Sequence, residues 1–311
     1  MASLKELAKR PESFTGGHRL CTGCGAGTIA RQALFAAGDK PVVVTSATGC
    51  LEVASTIFPF SAWNVPFFHS AFENSAASCS GIETAYRSLK KQGKIADDIR
   101  FIAFGGDGGT YDIGLQSLSG AMERRHKMLY ICYNNEAYMN TGIQRSGATP
   151  RGAHTTTAPT GKVKTGKDQN RKDLTAIMAA HDIPYVGQTA VGYWNDFMTK
   201  VQKALEVDGP SFINIIQPCR LGWGYKPEDT MVLGRLAVET CIWPVYEVVN
   251  GEYKLNIKPK EKKPVTEFMK HQVRFKHLFK PENQTLLNEI QVEVDQRWAK
   301  LLRLCNEQPI A

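Results

Sequence analysis

The sequence predicts an α/β fold built on a doubly wound, mostly parallel sheet, and three observations point to it. Four short runs are apolar and rich in β-branched or aromatic residues: 41–45 (PVVVT), 100–104 (RFIAF), 128–133 (MLYICY) and 211–216 (SFINII). Runs of this length and texture read as central strands covered on both faces. Helical patterns lie between them, at 26–37, 75–92, 113–125 and 193–207, and such alternation builds parallel sheets. Polar stretches rich in glycine or asparagine directly follow two of the strands, at the edge where open sheets bind ligands.

Composition narrows the class. With 311 residues, 42% of them hydrophobic, the chain can bury one large core or two small ones. Residues 1–17 are polar and charged, without the apolar stretch of a signal peptide. No apolar run approaches the roughly 18 residues of a membrane span. A soluble, cytoplasmic protein without membrane contact is therefore expected. The eight cysteines then stand for metal or redox chemistry or for buried thiols, rather than a disulfide framework. The net charge of +8 is spread out, with no aromatic-interleaved basic stripe. It reads as a solvated face or a docking surface for an acidic protein, not a nucleic-acid site.

Texture divides the chain at about residue 222, giving a main domain over 1–222 and a C-terminal extension over 223–311. Within the first part, residues 141–172 hold no evident strand or helix. So long a loop is either functional or partner-ordered, or else a mobile surface insertion. The extension opens with 245–255 (VYEVVNGEYKL), a hairpin signal turning at Asn250-Gly251. Leu287, Ile290, Val294, Trp298, Leu301 and Cys305 then recur at three- and four-residue steps, as one face of a terminal helix. This extension reads as structural or subunit-binding, without chemistry of its own.

The chemistry gathers between residues 104 and 140. A buried strand runs into Gly105-Gly106-Asp107-Gly108-Gly109, and a second ends in Asn134-Asn135-Glu136-Ala137. Mg²⁺ prefers a few protein oxygens shared with phosphate oxygens. Asp107 offers a carboxylate, Asn135 a side-chain carbonyl and Ala137 a backbone carbonyl. Gly106, Gly108 and Gly109 let backbone N–H groups approach phosphates without a Cβ in the way, and a helix N-terminus follows. A lone GDG often marks only a turn. Its pairing with NN at matched strand ends is the thiamine-diphosphate motif.

Four cysteines form the second constellation: Cys21 and Cys24 in CTGCG, Cys50 in ATGC after the first strand, and Cys219 after the last core strand. Converging at the carboxyl edge of a parallel sheet, they would suit a [4Fe–4S] cluster or a tetrahedral zinc. The CxxC could equally be a redox pair. Cys79, Cys132, Cys241 and Cys305 sit within helical or strand patterns and read as small buried apolar residues.

Together the two constellations resemble the β subunit of the multi-subunit 2-oxoacid:ferredoxin oxidoreductases, pyruvate synthase in particular. The resemblance runs through CTGCG, SATGCLEV, FPFSAW, HSAFENSAA, FGGDGGTYDIG, YNNEAYMNTGIQRS and RFKHLF. It implies a thiamine-diphosphate-type fold, with Cys21, Cys24, Cys50 and Cys219 as ligands of one [4Fe–4S] cluster. It also implies Asp107, Asn135 and Ala137 at Mg²⁺, and Asn140 beside the thiazolium and the substrate. The implied reaction is oxidative decarboxylation of a small 2-oxoacid, pyruvate favoured, with electrons passing to ferredoxin and the acyl group to coenzyme A. Oxalate, handled without coenzyme A, is the alternative substrate. A redox-inert thiamine decarboxylase and a zinc-binding scaffold are the remote alternatives. Partner subunits of the α and γ/δ type would supply onward electron transfer and the glutamate that activates the cofactor. Glu73 is the tempting local candidate for that glutamate, with packing or interface duty as its rival role.

Overall fold

The computed structural model describes residues 4–308. Six strands, β1 (Val42–Ala47), β2 (Phe67–Ser70), β3 (Arg100–Gly106), β4 (Leu129–Asn134), β5 (Tyr185–Ala190) and β6 (Ser211–Ile216), lie in the order β2-β1-β3-β4-β6-β5. Every neighbouring pair among them is parallel. The hairpin of β7 (Val245–Val249) and β8 (Glu252–Ile257) adds to the β5 edge with antiparallel pairing. Its turn residues Asn250 and Gly251 have φ of 49° and 84°, as a two-residue hairpin turn requires.

Side chains alternate between the two faces of the sheet, as the pleat dictates. Phe101, Ala103, Tyr130, Cys132 and Phe212 face the core beneath the helices Ser75–Lys91, Leu115–Glu123 and Gln284–Leu304. Ile102, Phe104, Leu129, Ile131 and Ile213 face the core beneath the helices Gly25–Ala37 and Trp194–Glu206. The four expected strands and four expected helices are all present. Two strands escaped the sequence reading. β2 lies at the sheet edge with Phe68 and His69 exposed, so it lacks a continuous apolar run. β5 carries Gln188 and Thr189, whose polar atoms are buried but bonded. Gln188 accepts from the Thr175 hydroxyl at 2.7 Å, and Thr189 donates to Asp196 at 2.6 Å.

Residues after 222 extend this sheet and its core. The terminal helix buries Leu287, Ile290, Val294, Trp298 and Leu301, the face read from its spacing, while Cys305 caps its end half-buried. Cys79, Cys132 and Cys241 are buried. Residues 141–172 form turns and isolated bridges, yet Ser146, Ala148, Thr149, Ala153 and Lys167 are all buried. Lys167 ties the segment together, donating to the carbonyls of Ser146 (3.4 Å) and Thr149 (2.5 Å). No helix among the described residues is long and apolar enough to cross a membrane.

The predicted helix at 113–125 is shorter, because one π-turn precedes it. Residues Gly108–Ile113 form a π-helix directly after β3, and Leu115–Glu123 continue as α-helix. Gly114 joins the two. A Cβ there would collide with the Gly109 carbonyl oxygen and come within 2.8 Å of the Glu73 carbonyl oxygen. Backbone cannot yield as a flexible side chain can, so Gly114→Ala should destabilise the chain by about 2–3 kcal/mol. Urea unfolding of the two proteins measures it.

Candidate functional site

The site is assembled where β1, β3 and β4 end. Gly106 pairs with Tyr133 across β3 and β4, which brings Asp107 and Asn135 face to face. Asp107 is wholly buried. One of its carboxylate oxygens accepts from the Ser146 hydroxyl at 2.5 Å and the other from the Asn135 N–H at 3.2 Å. Burial pushes the carboxyl up to about 7, against the pull of these two hydrogen bonds. Asp107 forms no ion pair among the described residues. A desolvated carboxylate of this kind is receptive to a cation, which would displace its proton.

The Asn135 side chain completes the arrangement. One end of its amide lies 2.9 Å from Asp107 Oδ1 and 2.8 Å from the Ala137 carbonyl oxygen. In the bare chain the amide turns its NH₂ toward these two acceptors. Around a cation, the same amide would present its oxygen, and three oxygens would form one donor set. The edge of an octahedron with Mg–O bonds of 2.0–2.1 Å is about 2.9 Å, the spacing found here. Sequence-predicted Asp107, Asn135 and Ala137 are thus brought together.

A cavity of about 230 Å³ opens beside this set, lined by Thr48, Cys50, Gly106, Asp107, Tyr138 and Asn140 among others. Gly108 and Gly109 line it too. At Gly108 a Cβ would meet the Tyr138 ring at 2.5 Å, so only glycine lets that ring close over the loop. The Tyr138 phenol is held by Asp112, to which it donates at 2.9 Å. Asn140 is exposed on the cavity wall, its Oδ1 3.9 Å from the Cys50 sulfur. Glu73 is exposed and outside the lining.

What fixes the Asn135–Ala137 turn is a set of residues that sequence reading missed. Glu136 is buried with φ of 65°. Its carboxylate lies between Arg171 (3.0 Å) and Arg274 (2.6 Å). Thr149 donates to the Glu136 carbonyl at 2.6 Å, and the Trp223 indole N–H donates to the Asn135 carbonyl at 2.8 Å. Arg274 in turn stacks on the Trp223 ring at 3.8 Å. The loop after residue 141 and the C-terminal RFKHLF stretch thereby reach the site. An arginine within an apolar stretch was the available signal.

The four cysteines reach the same edge by different routes. Cys24 caps the helix Gly25–Ala37, Cys50 opens the helix Cys50–Ser55, and Cys219 caps the short helix Arg220–Trp223. Burial pushes the Cys24 thiol up to about 11 and the Cys50 thiol up to about 12, and the charges of Cys219 and Cys21 add to both. The CTGC turn is clasped from outside, with Gly23 at φ of 76° and the Thr230 hydroxyl donating to its carbonyl at 2.6 Å. Among the described residues, no three His, Cys, Asp or Glu side chains converge closely enough to grip a single ion.

Residues 47–215 match the family described as thiamine pyrophosphate enzyme, C-terminal TPP binding domain. The pyruvate synthase subunit PorB of Methanocaldococcus jannaschii is 55% identical, over 95% of this chain and 98% of the relative. That of Thermotoga maritima is 51% identical, over 96% and 94%. The chain belongs to the β subunits of the 2-oxoacid:ferredoxin oxidoreductases. The family reaches beyond one substrate, since the ketoisovalerate oxidoreductase subunit VorB of Pyrococcus abyssi is 44% identical over 94% of this chain and 93% of the relative. The fold matches a solved 2-oxoglutarate:ferredoxin oxidoreductase from Magnetococcus marinus, with a TM-score of 0.56, 20% identity, and 67% of this chain and 66% of that one covered. As a β subunit of this family, the chain carries a thiamine-pyrophosphate-binding domain, and both strand-end motifs fall within the matched span.

The Glu136 bridge gives a direct test of how the tail serves the site. Arg274→Met keeps apolar volume but leaves the buried carboxylate with one cation. Removing a partner from a buried pair typically costs about 3–5 kcal/mol. Urea unfolding of the full chain should show a loss of about that size, and isothermal titration should show weakened thiamine diphosphate binding.

Proposed function

We propose that this β subunit binds thiamine diphosphate through Mg²⁺ and holds one [4Fe–4S] cluster beside it. In this reading it serves oxidative decarboxylation of a small 2-oxoacid, pyruvate first among them. The carrying observation is the grouping of Asp107, Asn135 and Ala137, in which one end of the Asn135 amide lies 2.9 Å from Asp107 Oδ1 and 2.8 Å from the Ala137 carbonyl oxygen, close to the edge of an Mg²⁺ octahedron. It opens on a cavity whose wall includes Cys50 of the four-thiol group. The Cys21–Cys24 turn, closed by the Cys24 N–H donating to the Cys21 carbonyl at 2.9 Å, and the places of Cys50 and Cys219 after β1 and β6 support cluster ligation. Pyruvate as substrate is supported by the two relatives named pyruvate synthase, at 55% and 51% identity. Coenzyme A as acyl acceptor, ferredoxin as electron acceptor and α- and γ/δ-type partner subunits follow from that reading, as does a cytoplasmic location.

When bound, thiamine diphosphate would supply the carbon nucleophile and electron sink for decarboxylation, and the cluster would take the electrons singly. The chain's own residues do the rest. Asp107 would hold the cation as its anionic ligand, giving up its proton. The Asn135 amide oxygen and the Ala137 carbonyl would hold the cation beside it. Gly106, Gly108 and Gly109 let backbone N–H groups approach the diphosphate. Tyr138 and Phe72 pack as a pair with ring centroids 5.7 Å apart and shield the loop from water. Asn140 stands on the cavity wall 3.9 Å from the Cys50 sulfur, where its amide would meet the substrate oxygen.

The reading is tested first at Asp107. Asp107→Ala should abolish Mg²⁺-dependent thiamine diphosphate binding in calorimetry while iron content stays at the wild-type value. Unchanged cofactor affinity would sink the assignment. At Asn140, an amide hydrogen bond to the substrate oxygen strengthens as that oxygen gains charge. Losing one such preorganised donor costs about 10²–10³ in turnover. Asn140→Ala in the assembled enzyme should keep cofactor and iron and lose turnover by that factor. Steady-state kinetics giving turnover within about threefold of wild type would remove it from the reacting set.

A further inference from the structure

One buried polar atom near the site has no role in the chemistry above. The Tyr133 side chain is 2% exposed, and its hydroxyl oxygen is shielded from solvent with no hydrogen-bond partner among the described residues. The Leu51 N–H approaches that oxygen without reaching bonding geometry. An N–H would in any case leave the hydroxyl's own proton without an acceptor. A buried hydroxyl left in this state is costly, and phenylalanine would fill the same volume without the penalty. The atom therefore has a partner to meet.

Its surroundings say which one. Tyr133 is the next-to-last residue of β4, and its ring lies over Gly106, where a Cβ would come within 3.4 Å of it. Its hydroxyl points at the Gly49-Cys50 turn. A Cβ on Gly49 would stand 2.8 Å from the hydroxyl oxygen, so glycine is what leaves room for the group there. After burial, the charge acting most strongly on the phenol is that of Cys50. Asp107 does not figure among the main influences on it. The orphan donor thus sits beside the one cysteine that also faces the cofactor cavity.

We propose that Tyr133 donates its phenolic proton to the Cys50 sulfur when that sulfur ligates the cluster, and so sets the cluster's reduction potential. This rests on the cluster reading given above. A hydrogen bond to a cluster sulfur stabilises the reduced state, which carries more negative charge, and raises the potential. A single bond of this strength changes the reduction equilibrium by roughly tenfold, which is about 59 mV for a one-electron couple. Tyr133 is a positioning and tuning residue here. It contacts neither the substrate nor the reacting carbon in this proposal.

The test is an anaerobic redox titration of the assembled enzyme, followed by electron paramagnetic resonance of the reduced cluster. Tyr133→Phe should keep its iron and its thiamine diphosphate affinity, and its cluster should titrate about 59 mV lower, tenfold in the equilibrium. 3,5-Difluorotyrosine at position 133, a stronger donor of the same shape, should move the potential in the opposite direction. This second variant keeps the test decisive should the phenylalanine protein fail to hold its cluster. Potentials equal to wild type in both variants overturn the proposal. Unchanged potentials with weakened thiamine diphosphate binding would overturn it too, and assign the hydroxyl to the cofactor. Wild-type enzyme that contains zinc and no iron would overturn the cluster reading itself, an outcome distinct from either.

Discussion

The geometry of the site depends on where one buried carboxylate is held. Glu136 occupies the left-handed region, which costs a non-glycine residue about 1–3 kcal/mol. It also buries a charge, which costs several kcal/mol more unless paired. Both costs are met only when Arg171 and Arg274 arrive, 35 and 138 residues further along the chain. The turn that presents Asn135 and Ala137 therefore takes its shape from contacts that exist only in the completed fold. The loop after residue 141 and the segment around residue 274 are conditions for the cation donors rather than additions to a finished domain. Trp223 reinforces the dependence, since it bonds the Asn135 carbonyl and carries Arg274 on its ring.

Sheet topology then decides what can be neighbours. The order β1-β3-β4-β6 is contiguous, and each of these strands delivers one element of the site at its carboxyl end. The Gly49-Cys50 turn follows β1, Asp107 follows β3, Asn135 follows β4, and Cys219 follows β6. The oxygen donors come from the two inner strands and the single cysteines from the two outer ones. The CTGC turn joins from the start of a helix that covers the same sheet face as Tyr133. The Asp107–Asn135 pair and the single cysteines thereby share one edge of the sheet.

Much of this was legible in the sequence, for a definable reason. Asp107, Asn135, Cys24, Cys50 and Cys219 each lie within a few residues of a strand end or helix start, and local pattern marks those places. The central strands announced themselves because both their faces are buried. β2 and β5 did not, one because it is an exposed edge and the other because its buried polar groups are satisfied by distant partners. The supporting residues failed to show for the same reason. Ser146, Arg171 and Arg274 owe their roles to pairings across 35 residues or more, and no local periodicity encodes such a pairing. The hydroxyl of Tyr133 was invisible too, since a tyrosine in an apolar strand reads as core until its oxygen is found without a partner.

The two ligand sets also share a physical logic. Burial holds Asp107 up to about 7 and the Cys24 and Cys50 thiols up to about 11 and 12, so the bare chain keeps most of these groups protonated at neutral pH. Asp107 is at the same time pre-aimed by Ser146 and the Asn135 N–H. A cation arriving at Asp107 would displace a proton and turn the Asn135 amide end for end. Desolvation that is unfavourable for the empty chain becomes favourable once charge is supplied, because the same low-dielectric surroundings strengthen the ligand–cation attraction. Mg²⁺ with its diphosphate and iron with its sulfide would therefore each complete a charge balance that the folded polypeptide leaves open, and proton release would accompany the loading of both.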